Sequence, residues 1–384
     1  MGRHEKKSYL EVARIRYKKA TKEEKRWLLD EFCEVYDYHR KYAISILNMQ
    51  PKRRKKVLIY KGRPRYDKAL LLEHLKALWL ATDQMCSKKL KAALPHWLPW
   101  YEKEQGSLPE TVAGQLYSLS PASIDRWLKP YRVESTRKRL CGTKPGTLLK
   151  HQIPIKTDHW DITQPGFLEA DTVAHCGNSL SGDFVWSITF TDILSTWTEN
   201  RAIWNKGAAG VIEQIQGLEK TLPFPILGFD SDNGSEFLNH HLFKYFTDRP
   251  HNAVQFTRSR PYHKNDNAHV EQKNWTHVRQ LFGYARFDKP QLVSLMNDLY
   301  SQEWSLLQNH FSPSMKLIEK NKINSKYVKK YDSPKTPFQR LIDSKHISDN
   351  LKVQLKEQHL LLNPFELKRS LEVKLKRIFQ VLSG

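Results

Sequence analysis

Between residues 166 and 204 three strand-like runs follow one another at short intervals, and they constrain the fold more than any other part of the chain. Gly166 to Cys176 and Phe184 to Leu194 are separated by a Gly/Asn/Ser turn at Gly177 to Gly182, and Trp197 to Trp204 follows the pair Ser195-Thr196. This spacing predicts an antiparallel three-strand meander. The pattern then alternates. It predicts a helix over Gly207 to Leu222, a strand over Phe224 to Phe229, a helix over Ser235 to Thr247, a short strand over Val254 to Thr257, and a long helix from near Asn267 carrying Val270, Trp275 and Val278. A meander followed by alternating helix and strand predicts an α/β domain with a mixed sheet covered by helices.

The 384 residues are too many for one ordinary domain and predict two or three. Charge is unevenly spread along them. The net charge is +22, yet residues 166–285 hold ten Lys or Arg against thirteen Asp or Glu, so the whole excess lies in the flanks. Such flanks point to nucleic acid as partner. A membrane fits poorly, because no run is apolar for long enough to span a bilayer and no basic helix has a strongly apolar face. A packaging protein is the competing reading, although a shorter chain with less Trp would be expected of it. Cys33, Cys86, Cys141 and Cys176 are scattered without a Cys-x-x-Cys pair, which predicts free thiols and no zinc. The first residues lead into no apolar signal region, so a soluble, cytoplasmic protein that is not exported is expected.

Residues 1 to about 135 read as mostly helical. Thr21-Lys22-Glu23-Glu24 forms a capping box before a run with Leu28, Phe32 and Val35 on one face. After a break at Asp37-Tyr38, a short basic helix would bury Ala43, Ile46 and Leu47 and expose His39, Arg40 and Lys41. Helix, tight turn and short basic helix is the pattern of a helix-turn-helix, which a plain two-helix hairpin would also give. A helix from Lys68 to about Leu94 follows. Pro109 to Tyr117 and Ser120 to Lys129 then repeat the theme, with Ser120 at the N-cap, Pro121 at the first helical position, and Arg126 and Lys129 facing out. The run Lys52-Arg53-Arg54-Lys55-Lys56 and the linker-like stretch from Thr136 to Pro165 suit phosphate neutralisation or simple solvation equally.

Three acids occupy or end different elements: Asp171 in the first strand, Asp232 after the fourth, and Glu271 in the first turns of the long helix. Singly, each reads as a surface acid. Asp232 belongs to Asp230-Ser231-Asp232-Asn233-Gly234-Ser235-Glu236-Phe237, where Asn-Gly is a strong turn pair. Asp230, two residues before Asp232, would share its face as a further ligand, or else be solvated or support a ligand from behind.

The order of elements and these motifs resemble the DDE integrase and transposase superfamily, which includes retroviral integrases and bacterial insertion-sequence transposases. The resemblance covers residues 166–285. It implies an RNase H-like mixed five-stranded sheet with flanking helices, preceded here by all-α helix-turn-helix DNA-binding units. It also implies catalytic and metal-binding roles for Asp171, Asp232 and Glu271, although the 39 positions between the last two exceed the retroviral spacing. Three carboxylates supply the hard oxygen ligands that Mg²⁺ or Mn²⁺ requires, and two such ions suit in-line attack on a phosphodiester. Arg258, Arg260, Lys264, Asn265 and Lys273 are expected to contact DNA beside them, with Arg40, Lys41 and Arg126 doing so in the helical units. Ordinary surface polarity is the alternative for each.

The resemblance therefore implies a bacterial, nucleoid-associated transposase that cleaves and transfers DNA strands at the ends of a mobile element, with element ends and target as duplex partners and a homo-oligomer assembled on DNA. A regulator derived from a transposase but without catalysis, and a structure-selective nuclease of the same sheet class, compete with it. The expected organisation is a helix-turn-helix over 1–60, a second helical unit over 61–135, a basic linker over 136–165, the catalytic core over 166–312 and a helical region over 313–384. The last helix, with Leu367, Leu371, Leu375 and Ile378 on one face, would either fold back on the core or pair with another subunit.

Overall fold

The structure is a computed structural model that describes residues 3–49, 66–132, 162–231, 236–237, 239–249, 253–258, 268–323 and 326–383. The chain divides into two compact units, Met1–Pro64 and Arg65–Gly384. Among the described residues no helix is long and apolar enough to cross a membrane.

The first unit holds helices α1 (Arg3–Lys19), α2 (Lys22–Tyr36) and α3 (Arg40–Asn48). The Thr21 capping box forms as expected, and Asp37 ends α2 in the left-handed conformation, which Asp tolerates better than most residues. Its core is Tyr17, Leu29, Phe32, Tyr36, Ala43 and Leu47. The buried stripe of α2 is therefore Leu29-Phe32-Tyr36; Val35, expected inside, is 40% exposed. His39, Arg40 and Lys41 are exposed.

The second unit opens with α4 (Lys68–Ala81), α5 (Ser87–Gln105), α6 (Glu110–Ser118) and α7 (Pro121–Leu128). The single helix expected over 68–94 is thus two. Asp83 and Gln84 turn left-handed between them, and the turn is closed by the Gln84 N–H donating to Trp79 O and the Trp79 indole N–H donating to Met85 O. Ser120 caps α7 by accepting from the Ser123 N–H, with Pro121 at the first position as expected.

The sheet follows, with β1 (Phe167–Ala174), β2 (Val185–Asp192), β3 (Thr198–Trp204), helix α8 (Ala208–Glu219), β4 (Gly228–Ser231), helix α9 (His240–Thr247) and β5 (Gln255–Arg258). The strand order is β3-β2-β1-β4-β5, and β2 alone runs against the other four. The fourth strand begins four residues later than expected. One face of the sheet is apolar: Leu168, Ala170, Ile188, Phe190, Phe229 and Phe256 pack with Val211, Ile215, Leu242 and Phe246 of α8 and α9.

The opposite face carries α10 (Ala268–Lys273), which continues through a π-helical turn (Asn274–Arg279) into α11 (Gln280–Phe282). Then come α12 (Gln291–Leu299), a π-helical turn (Tyr300–Trp304) and α13 (Ser305–Phe311). These helices cover the edge strand β3 with two asparagines. Asn297 accepts from the Ala202 N–H and donates to its carbonyl, and Asn309 does the same with Thr198, so each amide occupies the place of a missing strand.

A two-stranded ribbon that the sequence reading did not anticipate comes next, β6 (Leu317–Ile323) and β7 (Lys326–Tyr331), followed by α14 (Pro337–Asp343), α15 (Asp349–Leu361) and α16 (Pro364–Ser383). α16 folds back on its own unit. Leu371 and Ile378 join one core with Leu75 of α4, Trp97 of α5 and Ile124 of α7, and with Met296 and Phe311. His310 and His359 stack on Phe338, and His96 meets His359 edge-on, where α5, α13, α14 and α15 come together.

Candidate active site

Asp171 lies in the middle of β1, and Glu169 points to the same face because strand residues alternate. Two contacts tie this face to the helix above it. The Val270 N–H donates to Glu169 Oε2 at 3.2 Å, and Asn274 Nδ2 donates to Asp171 Oδ2 at 2.6 Å. Four residues of helix rise about 6 Å and two residues of strand span about 6.6 Å, so helix and strand run side by side between these anchors. The backbone of Glu271 lies between them; its side chain is outside the described residues. Asp171 Oδ1 accepts from the Thr172 N–H at 2.7 Å.

Beneath Asp171, a row of buried polar side chains crosses all five strands in register: Thr198, Thr191, Glu169, Asp230 and Thr257. Asp230 accepts from Thr257 Oγ1 at 2.5 Å and is fully buried, which excludes the solvated role open to it in the sequence. The next row toward the site contains Asn200, Thr189 and Asp171, with Asn200 Nδ2 donating to Thr189 Oγ1.

Asp232, with Asn233, Gly234 and Ser235, lies outside the described residues. Described residues flank this stretch on both sides. Ser231, which precedes it, is registered beside Ala170, the residue before Asp171. Glu236 is buried, accepts from Thr172 Oγ1 at 2.9 Å and pairs with Lys206 Nζ at 2.7 Å, and Phe237 is fully buried in the apolar layer.

Lys273 is half-buried two residues after Glu271. Desolvation pushes its ammonium down to about 7, and the nearby Lys89 of α5 adds to the effect. His277, one turn on, is held well below the ordinary histidine value by burial, then by Lys273 and Lys89. Lys273, His277 and Lys89 thus crowd together as basic groups whose charge burial opposes. Arg258 ends β5 and is buried, while Arg260, Lys264 and Asn265 lie outside the described residues. Arg40 is engaged in an exposed ion pair with Asp30, and Lys41 and Arg126 are exposed. Glu169 and Asn274 escaped the sequence reading as site residues, although they stand two positions before Asp171 and three after Glu271.

Strand order, the single reversed strand and a carboxylate on the central strand define an RNase H-like core, the class that the sequence resemblance implied. No family model matches the chain. The uncharacterized protein y4rM of Sinorhizobium fredii is 35% identical over 327 residues, which is 85% of this chain and 91% of that protein. The chain belongs to the family of y4rM. Among solved structures it is similar to the HTLV-2 integrase catalytic core domain in complex with magnesium (14% identity, 39% of this chain and 90% of that chain, TM-score 0.28). It is also similar to the BIV integrase catalytic core domain (16% identity, 47% and 96%, TM-score 0.29). A third likeness is to the simian T-cell lymphotropic virus intasome (14% identity, 63% and 73%, TM-score 0.31).

Proposed function

We propose that this chain is a DDE transposase of the bacterial insertion-sequence kind, which cleaves and transfers DNA strands at the ends of a mobile element. The observation that carries the reading is the double anchor of the helix on β1, Val270 to Glu169 and Asn274 to Asp171, which brings the backbone of Glu271 alongside Asp171. The register of β1 and β4 supports it, since it ends at Ala170 and Ser231 with Asp171 and Asp232 next in sequence.

The donor set fits a hard divalent ion: carboxylate oxygens on a half-buried strand suit Mg²⁺ or Mn²⁺, and Asp171, Asp232 and Glu271 would hold it. When bound, a pair of such ions activates the attacking oxygen and steadies the leaving one. The protein's own groups do the rest. Asn274 orients the Asp171 carboxylate, Glu169 fixes the height of the helix, and Lys273 would contact the DNA backbone. Arg40, Lys41 and Arg126 would bind element ends, with copies of the chain assembling on DNA in the cytoplasm.

Nicking of plasmid DNA that carries the element ends, with Mn²⁺, tests the reading. Nicks that vanish in Asp171→Asn, Asp232→Asn and Glu271→Gln are expected. Binding of the ends without a nick would replace it with a regulator, and junction cleavage that survives Arg40→Ala with Arg126→Ala would replace it with a nuclease.

A further inference from the structure

We propose that the β6-β7 ribbon is a second duplex-DNA-binding element, lying on the phosphate backbone beside the strand held at Asp171; the proposal rests on the DNA-processing reading above. Residues 316–331 contain six lysines and one acid, Glu319. The register concentrates the charge. Lys320 is directly opposed to Lys329, and Lys322 to Tyr327, so positions 320, 322, 327 and 329 share one face with no acid among them. Glu319, opposed to Lys330, is on the other face and accepts from Asn321 Nδ2 at 2.6 Å.

Like charges directly opposed across two strands are destabilising, and a two-stranded ribbon standing alone in water is marginal. Here the strands also leave apolar side chains in water: Ile318 is 61% exposed and Val328 53%. A polyanion resolves the repulsion, and duplex DNA has a groove that admits a two-stranded ribbon. The base is firmly held. Lys316 Nζ donates to Leu194 O at 3.0 Å in the β2-β3 turn, the Lys316 N–H donates to Asp332 Oδ1 at 2.6 Å, and Asp332 pairs with Arg340 at 2.6 Å. That turn meets the start of β1, where the Ile193 N–H donates to Phe167 O. From Phe167 to Asp171 is about 13 Å of strand, less than half of the ~34 Å turn of a duplex, so one DNA molecule reaches both.

The test measures binding of the full chain to a labelled mixed-sequence duplex across a salt titration. Joint substitution of Lys320→Gln, Lys322→Gln and Lys329→Gln should lower the slope of log affinity against log salt by about 2 to 3, near 0.9 for each lost phosphate contact. Lys320→Arg with Lys329→Arg should keep the wild-type slope. The same loss of charge elsewhere, Lys356→Gln, Lys376→Gln and Arg377→Gln, should leave it nearly unchanged. The free Gln variant should melt no lower than wild type, because removing opposed lysines relieves repulsion. Wild-type binding with an unchanged slope in the Gln variant, or equal losses in both neutralised variants, overturns the ribbon assignment alone. Failure of the wild type to bind duplex DNA overturns the assignment together with the transposase reading.

Discussion

Replacing Asn274 with Leu isolates the contact that sets the Asp171 carboxylate. The substitution keeps the branching and the number of heavy side-chain atoms and removes the donor 2.6 Å from Oδ2. A hydrogen bond to a charged group contributes about 1.5 to 3 kcal/mol, and because Asp171 is only half-buried the lower part of that range applies. A loss of about 1.5 to 2 kcal/mol from the transition state corresponds to roughly ten- to thirtyfold in kcat. Unfolding would not explain the loss: among the described residues Asn274 Oδ1 is buried without a hydrogen-bond partner, so Leu also removes an unsatisfied acceptor and should leave stability level or raise it. The assay is single-turnover nicking at saturating DNA, with Mn²⁺ titrated in parallel, since a freed Asp171 should also raise the half-saturating metal concentration. An Asn274→Leu protein that nicks within about twofold of wild type, at the same metal dependence, would refute the positioning role.

Stability should fall in mild acid. Burial holds His175 and His310 at about 3, against a free value near 6.5, so both are neutral when folded and gain a proton on unfolding. Their contribution is complete above about pH 6.5 and is lost as pH falls toward 3, by about 2 kcal/mol for each at pH 5. Urea unfolding at neutral pH and near pH 5 checks this, and equal midpoints would refute it. Asn309→Leu should cost about 2 to 4 kcal/mol, because it strands the buried N–H and C=O of Thr198, and the urea midpoint should drop at constant slope. Leu371→Ala should cost about 2 to 5 kcal/mol and raise amide exchange in α5, which shares its core.

The parts of the fold that follow from patterning were legible. The meander, the helices flanking the sheet and the caps at Thr21 and Ser120 lie where apolar spacing and capping chemistry put them. The errors have physical causes. The fourth strand starts at Gly228, beyond Pro223 and Pro225, which lack the N–H a ladder needs; Phe224 and Ile226 are buried, but as part of the approach. The break after Ala81 has neither Gly nor Pro to announce it, only Asp83 and Gln84 made left-handed by the turn around Trp79. The ribbon was hidden by its lysines, which have low strand propensity. At the site, Asp171 was found as a carboxylate in an apolar run. Glu169 passed unnoticed although it obeys the same logic, since only the register shows it inside a buried polar row.

The shared core has a consequence for synthesis. Leu75, Trp97 and Ile124 emerge early, but the residues that close over their cluster, Leu371 and Ile378, come about 250 residues after α7. At about 5 to 20 residues per second, the ribosome leaves those apolar faces without their final cover for roughly 12 to 50 s. A message cut short anywhere in that interval gives a polypeptide with sticky surfaces that holdases and proteases recognise, and no smaller working version of the protein.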